Sequence, residues 1–373
     1  MSKSISIDDF FMKRLITSYQ TKQSYKCYIK HFLKLVDSTP HDYFNPIKSN
    51  DEVEEDVQRF YQSLKGKAPQ TIKSETNAVK LFLQTFHPPY KNLGVWEIIG
   101  LRLRDTSPVS DEKIPSQKEI ETIFRHSDVR SKAFFLMQLT SGCRIGEIAS
   151  LKTNDVYLEE KPVRLIIRHH SAKTKAKRNV FITDEAAEAY KAWLQERDKY
   201  IKRSAAKRKN LNLNTEYDTT RVFPFHVSNA RLTWKIILKN AGFLGTIYYD
   251  PNSKDPEKRN SMGRDPETGK VLMHPHTLRK YFRSHLGNSD LAEALMGHKT
   301  LLNVYNKKDV SEWATDYLNC MNNLTIYEGT SNLQEINEQM KEKDQRIKEL
   351  EEKQKVMMEM MKQLLIKDDK KKD

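Results

Sequence analysis

Apolar residues along this chain recur mostly at helical spacing. Across residues 24–36, Tyr25, Tyr28, Ile29, Phe32, Leu33 and Val36 share one side while Lys30 and Lys34 occupy the other, which predicts an amphipathic helix. Residues 52–64 repeat the pattern with Val53, Val57, Phe60 and Leu64. Residues 71–86 repeat it again after Pro69, a residue suited to the first helical turn, with Ile72, Val79, Leu81, Phe82 and Phe86. Residues 105–111 are polar, contain Pro108 and show no period, so a linker is expected there. Beyond it, Ser116 and Glu119 form a capping-box pattern that predicts a helix start.

Residues 130–140 are apolar enough for a buried helix that Ser141-Gly142 ends. Residues 163–168 and 179–182 read as strands joined by a basic hairpin tip over 172–178. A helix is expected from Ala186 to about Lys202, capped by Thr183 or Asp184, with 202–209 as a solvated basic loop. A short buried element over 222–225 precedes a helix over 228–241, and 249–270 reads as a long exposed loop. In the tail, Leu333, Ile336, Met340, Lys343, Ile347, Leu350, Gln354, Met357, Met361 and Leu364 alternate steps of three and four, the seam of a coiled coil. The last residues, 367–373, are highly charged and expected to be disordered. The fold class expected is mainly α with a small β-sheet (α+β). It divides into a helical domain (1–105), a linker (106–111), a mixed domain (112–328), and a coiled coil with a basic tail (329–373).

Composition sharpens the picture. Charged residues make up 31% of the 373-residue chain, above the ~25% usual for soluble domains. The formal net charge is +14, which points to a polyanionic partner, nucleic acid before an anionic membrane. Lys22, Lys26, Lys30, Lys65, Lys67, Lys73 and Lys80 give the first domain many groups able to meet phosphate. Three scattered cysteines, Cys27, Cys143 and Cys320, form no Cys-x-x-Cys pair, against a disulfide framework or a structural zinc site and in keeping with a reducing interior. Without a signal-like or membrane-length apolar run, a soluble cytoplasmic protein is expected.

Candidate chemistry is concentrated late in the chain. His276 and Arg279 are three apart and share a helical face. Gly297-His298 closes the next helical segment, and Tyr305 follows. Guanidinium and imidazole donors beside a phenol suggest chemistry on an anion, phosphate above all, because a planar fork of N–H groups matches two non-bridging oxygens. Arg144 comes directly after the helix-ending Gly142-Cys143, with Glu147 expected to orient it or cap the helix. Lys173 lies on the basic hairpin, which it shares with Lys175 and Lys177.

This order resembles the tyrosine recombinase (phage-type integrase) superfamily and, more loosely, its archaeal branch. The matching pieces are Thr140-Ser141-Gly142-Cys143-Arg144-Ile145-Gly146-Glu147-Ile148, His276-Thr277-Leu278-Arg279, Leu295-Met296-Gly297-His298, and Tyr305. The resemblance spans about residues 10–328. It implies a DNA-clamping first domain, a catalytic second domain, double-stranded DNA as partner, a tetramer on DNA, and no cofactor or metal; the coiled coil lies outside the common core, and that it assists assembly is a separate expectation. By the same resemblance Arg144 and Arg279 grip one phosphodiester, Lys173 protonates the leaving 5′ oxygen, His276 acts as general acid–base, and His298 hydrogen-bonds the phosphate. Tyr305 attacks and leaves a 3′-phosphotyrosine. In many relatives the nucleophile lies about nine residues after the Gly-His histidine, where this chain has Lys307; Tyr305 stands seven after it. Tyr317 is the fallback, with a helix-packing aromatic as its plain reading. A type IB topoisomerase, a telomere resolvase, or a non-catalytic DNA-binding protein of the same fold are the alternatives.

Overall fold

The computed structural model describes residues 4–104, 111–168, 177–210, 219–298, 308–327 and Arg346. Lys173, Tyr305, most of the expected linker and the expected coiled coil therefore lie outside the described residues. The chain divides into two compact units, Met1–Asp111 and Glu112–Asp373.

Five helices build the first unit: α1 (Ile7–Lys13), α2 (Tyr19–Leu35), α3 (Asn50–Ser63), α4 (Pro69–Phe86) and α5 (Val95–Arg102). Their starts follow local chemistry. Ser6 and Ser49 form capping boxes with Asp9 and Glu52, and Pro69 opens α4 where its missing N–H costs nothing. The apolar stripes of α1 to α4 converge on Phe10, Phe32, Phe60 and Phe82, all fully buried. The rings meet edge to face: Phe32 and Phe60 are 5.5 Å apart and Phe10 and Phe82 5.8 Å apart.

The second unit adds α6 (Gln117–Arg125), α7 (Val129–Ser141), α8 (Ile145–Ala149), α9 (Asp184–Asn210), α10 (Val227–Asn240), α11 (Pro275–His285), α12 (Ser289–Met296) and α13 (Val310–Cys320). Strands β1 (Val156–Tyr157), β2 (Val163–Ile167) and β3 (Arg178–Ile182) make an antiparallel sheet in sequence order, with Ile167 opposite Arg178. The described fold is thus mainly helical with a three-stranded sheet. The hub is α7, in which every residue from Ser131 to Ser141 is buried. Such all-round burial explains why its sequence carries little amphipathic signal. Tyr317 of α13 reaches α7, donating its hydroxyl to the Thr140 carbonyl at 2.8 Å.

Three expectations change. The run 202–209 is not a loop: it continues α9 to Asn210, because Lys, Arg and Ala are good helix formers and no Gly or Pro interrupts them. Arg178 is not at a hairpin tip; it opens β3 with a side chain only 10% exposed. Within the segment read as an exposed loop, Arg264 and Asp265 are buried. Arg264 donates to the carbonyls of Gly269, Thr246 and Ile247, so its guanidinium serves as the core of a segment that lacks regular structure.

Arg197 of α9 plays a similar part for the segment before α10. It is buried and donates to the carbonyls of Thr219, Arg221 and Val222. Arg197→Leu keeps bulk but strips those carbonyls of this donor, so a loss of about 2–4 kcal/mol is expected in chemical unfolding. A loss under ~0.5 kcal/mol would show that solvent replaces the guanidinium.

Candidate active site

The site forms where two helices of the second unit end side by side. α7 stops at Gly142 (φ 63°) and α12 at Gly297 (φ 72°), both left-handed. Gly142 is doubly required, since a Cβ there would sit 2.4 Å from the Phe282 ring. The terminal carbonyls of a helix carry partial negative charge. Arg279 of α11 is inserted between the two ends, donating to the Gly142 carbonyl and, at 2.8 Å, to the Met296 carbonyl.

Arg279 is 1% exposed, yet among the described residues no carboxylate lies at ion-pair distance from it. Its charge rests on helix ends rather than on a counter-ion. Burial first, and then the neighbouring Arg144 cation, pull its pKa down to about 10, which still leaves it charged at neutral pH.

His298, just past α12, is 3.0 Å from Arg279 Nη2 through its Nε2. Its other nitrogen, Nδ1, is 2.5 Å from Glu293 Oε2, and Glu293 also takes Arg283 Nε at 2.5 Å. A carboxylate on Nδ1 fixes the ring's orientation and favours a proton there. Arg144 is the N-cap residue of α8. Its backbone N–H donates to Glu147 Oε2 at 2.8 Å and its Nη1 to Glu147 Oε1 at 3.2 Å. Glu147 therefore both caps the helix and tethers the arginine, and Arg144 keeps a side chain 25% exposed.

His276, in the first turn of α11, is exposed. Its backbone N–H donates to His274 Nδ1 at 3.2 Å, and His274 Nε2 contacts Glu112 at 3.1 Å. Partial desolvation, and then the Arg279 cation, push the His276 imidazole below its ordinary value, which favours its neutral form. Of the six candidate site residues, the described structure gathers Arg279 with His298, and sets Arg144 and His276 close enough to shift or be shifted by Arg279. Lys173 and Tyr305 lie outside the described residues. Tyr317 is fully buried; burial raises its phenol well above the ordinary value, which suits the packing aromatic and not a nucleophile.

Two supporting residues escaped the sequence reading. Arg178 donates to Glu147 Oε2 at 2.7 Å and to the Leu295 carbonyl at 2.8 Å, tying β3 to α8 and α12. Glu293 locks His298. Arg178 was hidden among six other positions of a basic run, and nothing in spacing marks the one that turns inward.

Residues 115–312 match the sequence profile of the phage integrase family. Among solved structures, a lambda integrase tetramer bound to a Holliday junction is 14% identical with a TM-score of 0.50, covering 79% of this chain and 76% of that one. The Tn1549 transposon integrase in complex with a circular intermediate DNA is likewise 14% identical at 0.50, covering 85% and 99%. XerA recombinase is 18% identical at 0.34, covering 90% and 98%. The first two are likenesses of fold. No curated protein matches the sequence.

Burial raises the Glu147 carboxyl, but Arg178 and the Arg144 N–H and cation outweigh it and hold it below the usual carboxylate range. A depressed carboxylate pKa adds stability above the unfolded value near ~4.3, lost as pH falls through the folded one. Glu147→Gln is expected to cost about 2 kcal/mol at pH 7. The gap from the parent should close as pH drops below ~4. Unfolding curves between neutral and acid pH test this; a pH-independent gap would contradict it.

Proposed function

The chain belongs to the phage integrase family, and on that premise we propose that it cuts and rejoins duplex DNA through a 3′-phosphotyrosine formed by Tyr305. The observation that carries this reading is the buried Arg279 cation, held by two helix-end carbonyls, lacking a carboxylate partner among the described residues, and adjacent to Arg144. Such a charge is poised for an external anion, and two guanidiniums match the non-bridging oxygens of a phosphodiester.

In the proposed reaction Arg144 and Arg279 bind those oxygens and stabilise the charge that builds as the phosphorus becomes five-coordinate. His298, oriented by Glu293 and set beside Arg279, is the further group that hydrogen-bonds the phosphate. The Tyr305 oxygen forms the new bond to phosphorus, its proton passing to His276. The bond to the 5′ oxygen breaks, and Lys173 supplies the proton that oxygen needs. Bond energy is kept in the phosphotyrosine, so attack by a 5′-hydroxyl reverses the step with no nucleotide cofactor.

Residues 1–105 serve as the DNA-clamping domain, 106–111 as linker and 112–328 as the catalytic domain, working as a tetramer on DNA. The 329–373 seam assists assembly. The spacing of His298, Tyr305 and the Asp316-Tyr317-Leu318 segment supports an archaeal-like branch.

The test is covalent trapping in EDTA on nicked duplexes drawn from the DNA flanking the gene. The parent should give a protein–DNA adduct on denaturing gels, and Tyr305→Phe should abolish it while DNA affinity stays within ~2-fold. Tyr317→Phe should keep the adduct and lose about 1 kcal/mol of stability with its hydrogen bond to Thr140. An adduct that survives Tyr305→Phe would sink the assignment, and tight binding with no adduct on any duplex would favour a non-catalytic DNA-binding protein.

A further inference from the structure

α9 is longer than its packing requires. Its 27 residues, about 40 Å of helix, are buried as far as Arg197, and Tyr200 is the last aromatic against the core. No residue from 201 to 210 is buried. Roughly ten residues, or ~15 Å, therefore run on with little core beneath them. This stretch carries Lys202, Arg203, Lys207, Arg208 and Lys209, and from Lys199 to Asn210 there is no carboxylate.

A solvated helix has reasons to avoid this pattern. Like charges four apart, as in Lys199 with Arg203 and Arg203 with Lys207, repel by some tenths of a kcal/mol each. The helix dipole offsets cations only in the last turn, which includes Lys207, Arg208 and Lys209 but not Lys202 or Arg203. Among the described residues the acids nearby are already engaged: Glu196 with Lys199 at 3.2 Å, Asp198 with Arg197 at 3.5 Å and Asp128 with Arg130 at 3.3 Å. At ~3.6 residues per turn, Lys199, Lys202, Arg203, Lys207 and Lys209 fall within one half of the helix. Beside it, across a cavity of about 350 Å³ lined by Arg130, Tyr200, Leu232 and Ile236, α10 adds exposed Arg231.

The location is equally informative. α7 and α9 pack antiparallel: Arg130 near the start of α7 lies 5.0 Å from the ring centroid of Tyr200 late in α9, while Tyr317, bonded to Thr140 near the end of α7, packs on Phe181 just before α9 begins. Gly142, which receives Arg279, lies past the other end of α7, some 13 residues or ~20 Å away. The cationic end of α9 thus points away from the Arg144–Arg279 pocket.

We propose that the projecting end of α9 is a second phosphate-binding surface for duplex DNA, remote from the pocket that holds the scissile phosphate. It rests on the DNA-cleaving reading above and extends it: the same DNA, or a second duplex, is gripped at a place where no bond is broken. A rigid rod of cations meets the backbone without base contacts and raises affinity without sequence preference.

The test uses the full chain carrying Lys202→Gln, Arg203→Gln, Lys207→Gln and Lys209→Gln together. Gln preserves helix propensity, and a control with Lys202→Arg, Lys207→Arg and Lys209→Arg preserves charge. Affinity for a random-sequence duplex of about 40 base pairs is measured over a salt series, since each phosphate contact adds ~0.9 to the slope. The neutral variant should lose ~2–4 from the slope and about 10- to 100-fold in affinity at low salt. The arginine control should match the parent, and adduct yield at saturating DNA should be unchanged. An unchanged slope would overturn the proposal, including where the variant instead loses binding to vesicles containing phosphatidylserine. Loss of adduct at saturating DNA would also overturn it, placing α9 within the cleavage site. A parent that binds no duplex would count against the DNA-cleaving reading itself.

Discussion

The second unit depends on one buried cation. Arg279 lies where α7 and α12 both terminate, and its guanidinium satisfies the carbonyls of Gly142 and Met296 that no helical N–H can reach. Three features follow from this placement. Both helices must stop in left-handed glycines, because any other residue would be strained and Gly142 has no room beside Phe282. α11 must pack tightly enough to bury an arginine. And the charge, held by helix-end carbonyls and reached by Glu147 only from beyond ion-pair distance, has no described carboxylate partner for an anion to displace. The same contact therefore orders the core and builds the site.

Around Arg279 the supporting shell is made of carboxylates that serve other cations. Glu147 receives both Arg144 and Arg178, and Glu293 receives His298 and Arg283. Each carboxylate orients a ring or guanidinium without reaching Arg279. An acid placed directly against Arg279 would form a strong internal ion pair and compete with any phosphate. Arg178 draws β3 toward α8 and α12, so the sheet contributes to the geometry of the pocket although none of its described residues is a candidate for chemistry.

Much of this was legible because local chemistry and tertiary structure agree. Gly142 and Gly297 announced helix ends, Ser116 with Glu119 announced a start, and His276-x-x-Arg279 placed two functional groups on one face. The reading failed where side-chain direction decides the outcome. Arg178 looks like its basic neighbours until β3 turns it inward. Lys202 to Lys209 resembles a loop on charge alone, yet nothing there breaks a helix. Arg264 buries itself in a polar segment by meeting three carbonyls, a solution that no periodicity signals. The family, by contrast, was carried by the order of several short motifs rather than by any one of them.

The central claim is that Arg144 and Arg279 act by neutralising a phosphodiester, and a charge-for-charge substitution in the DNA tests it most directly. Arg144 is the arginine to remove, since it is partly exposed while Arg279 also supports the core. Adduct formation by Arg144→Ala would be compared on an ordinary cleavable duplex and on one whose scissile phosphate is an uncharged methylphosphonate. If the guanidinium offsets a non-bridging charge, the variant should be about 100-fold or more slower on the phosphate and recover much of that loss on the methylphosphonate. Equal impairment on both substrates would contradict the account and make Arg144 a structural residue.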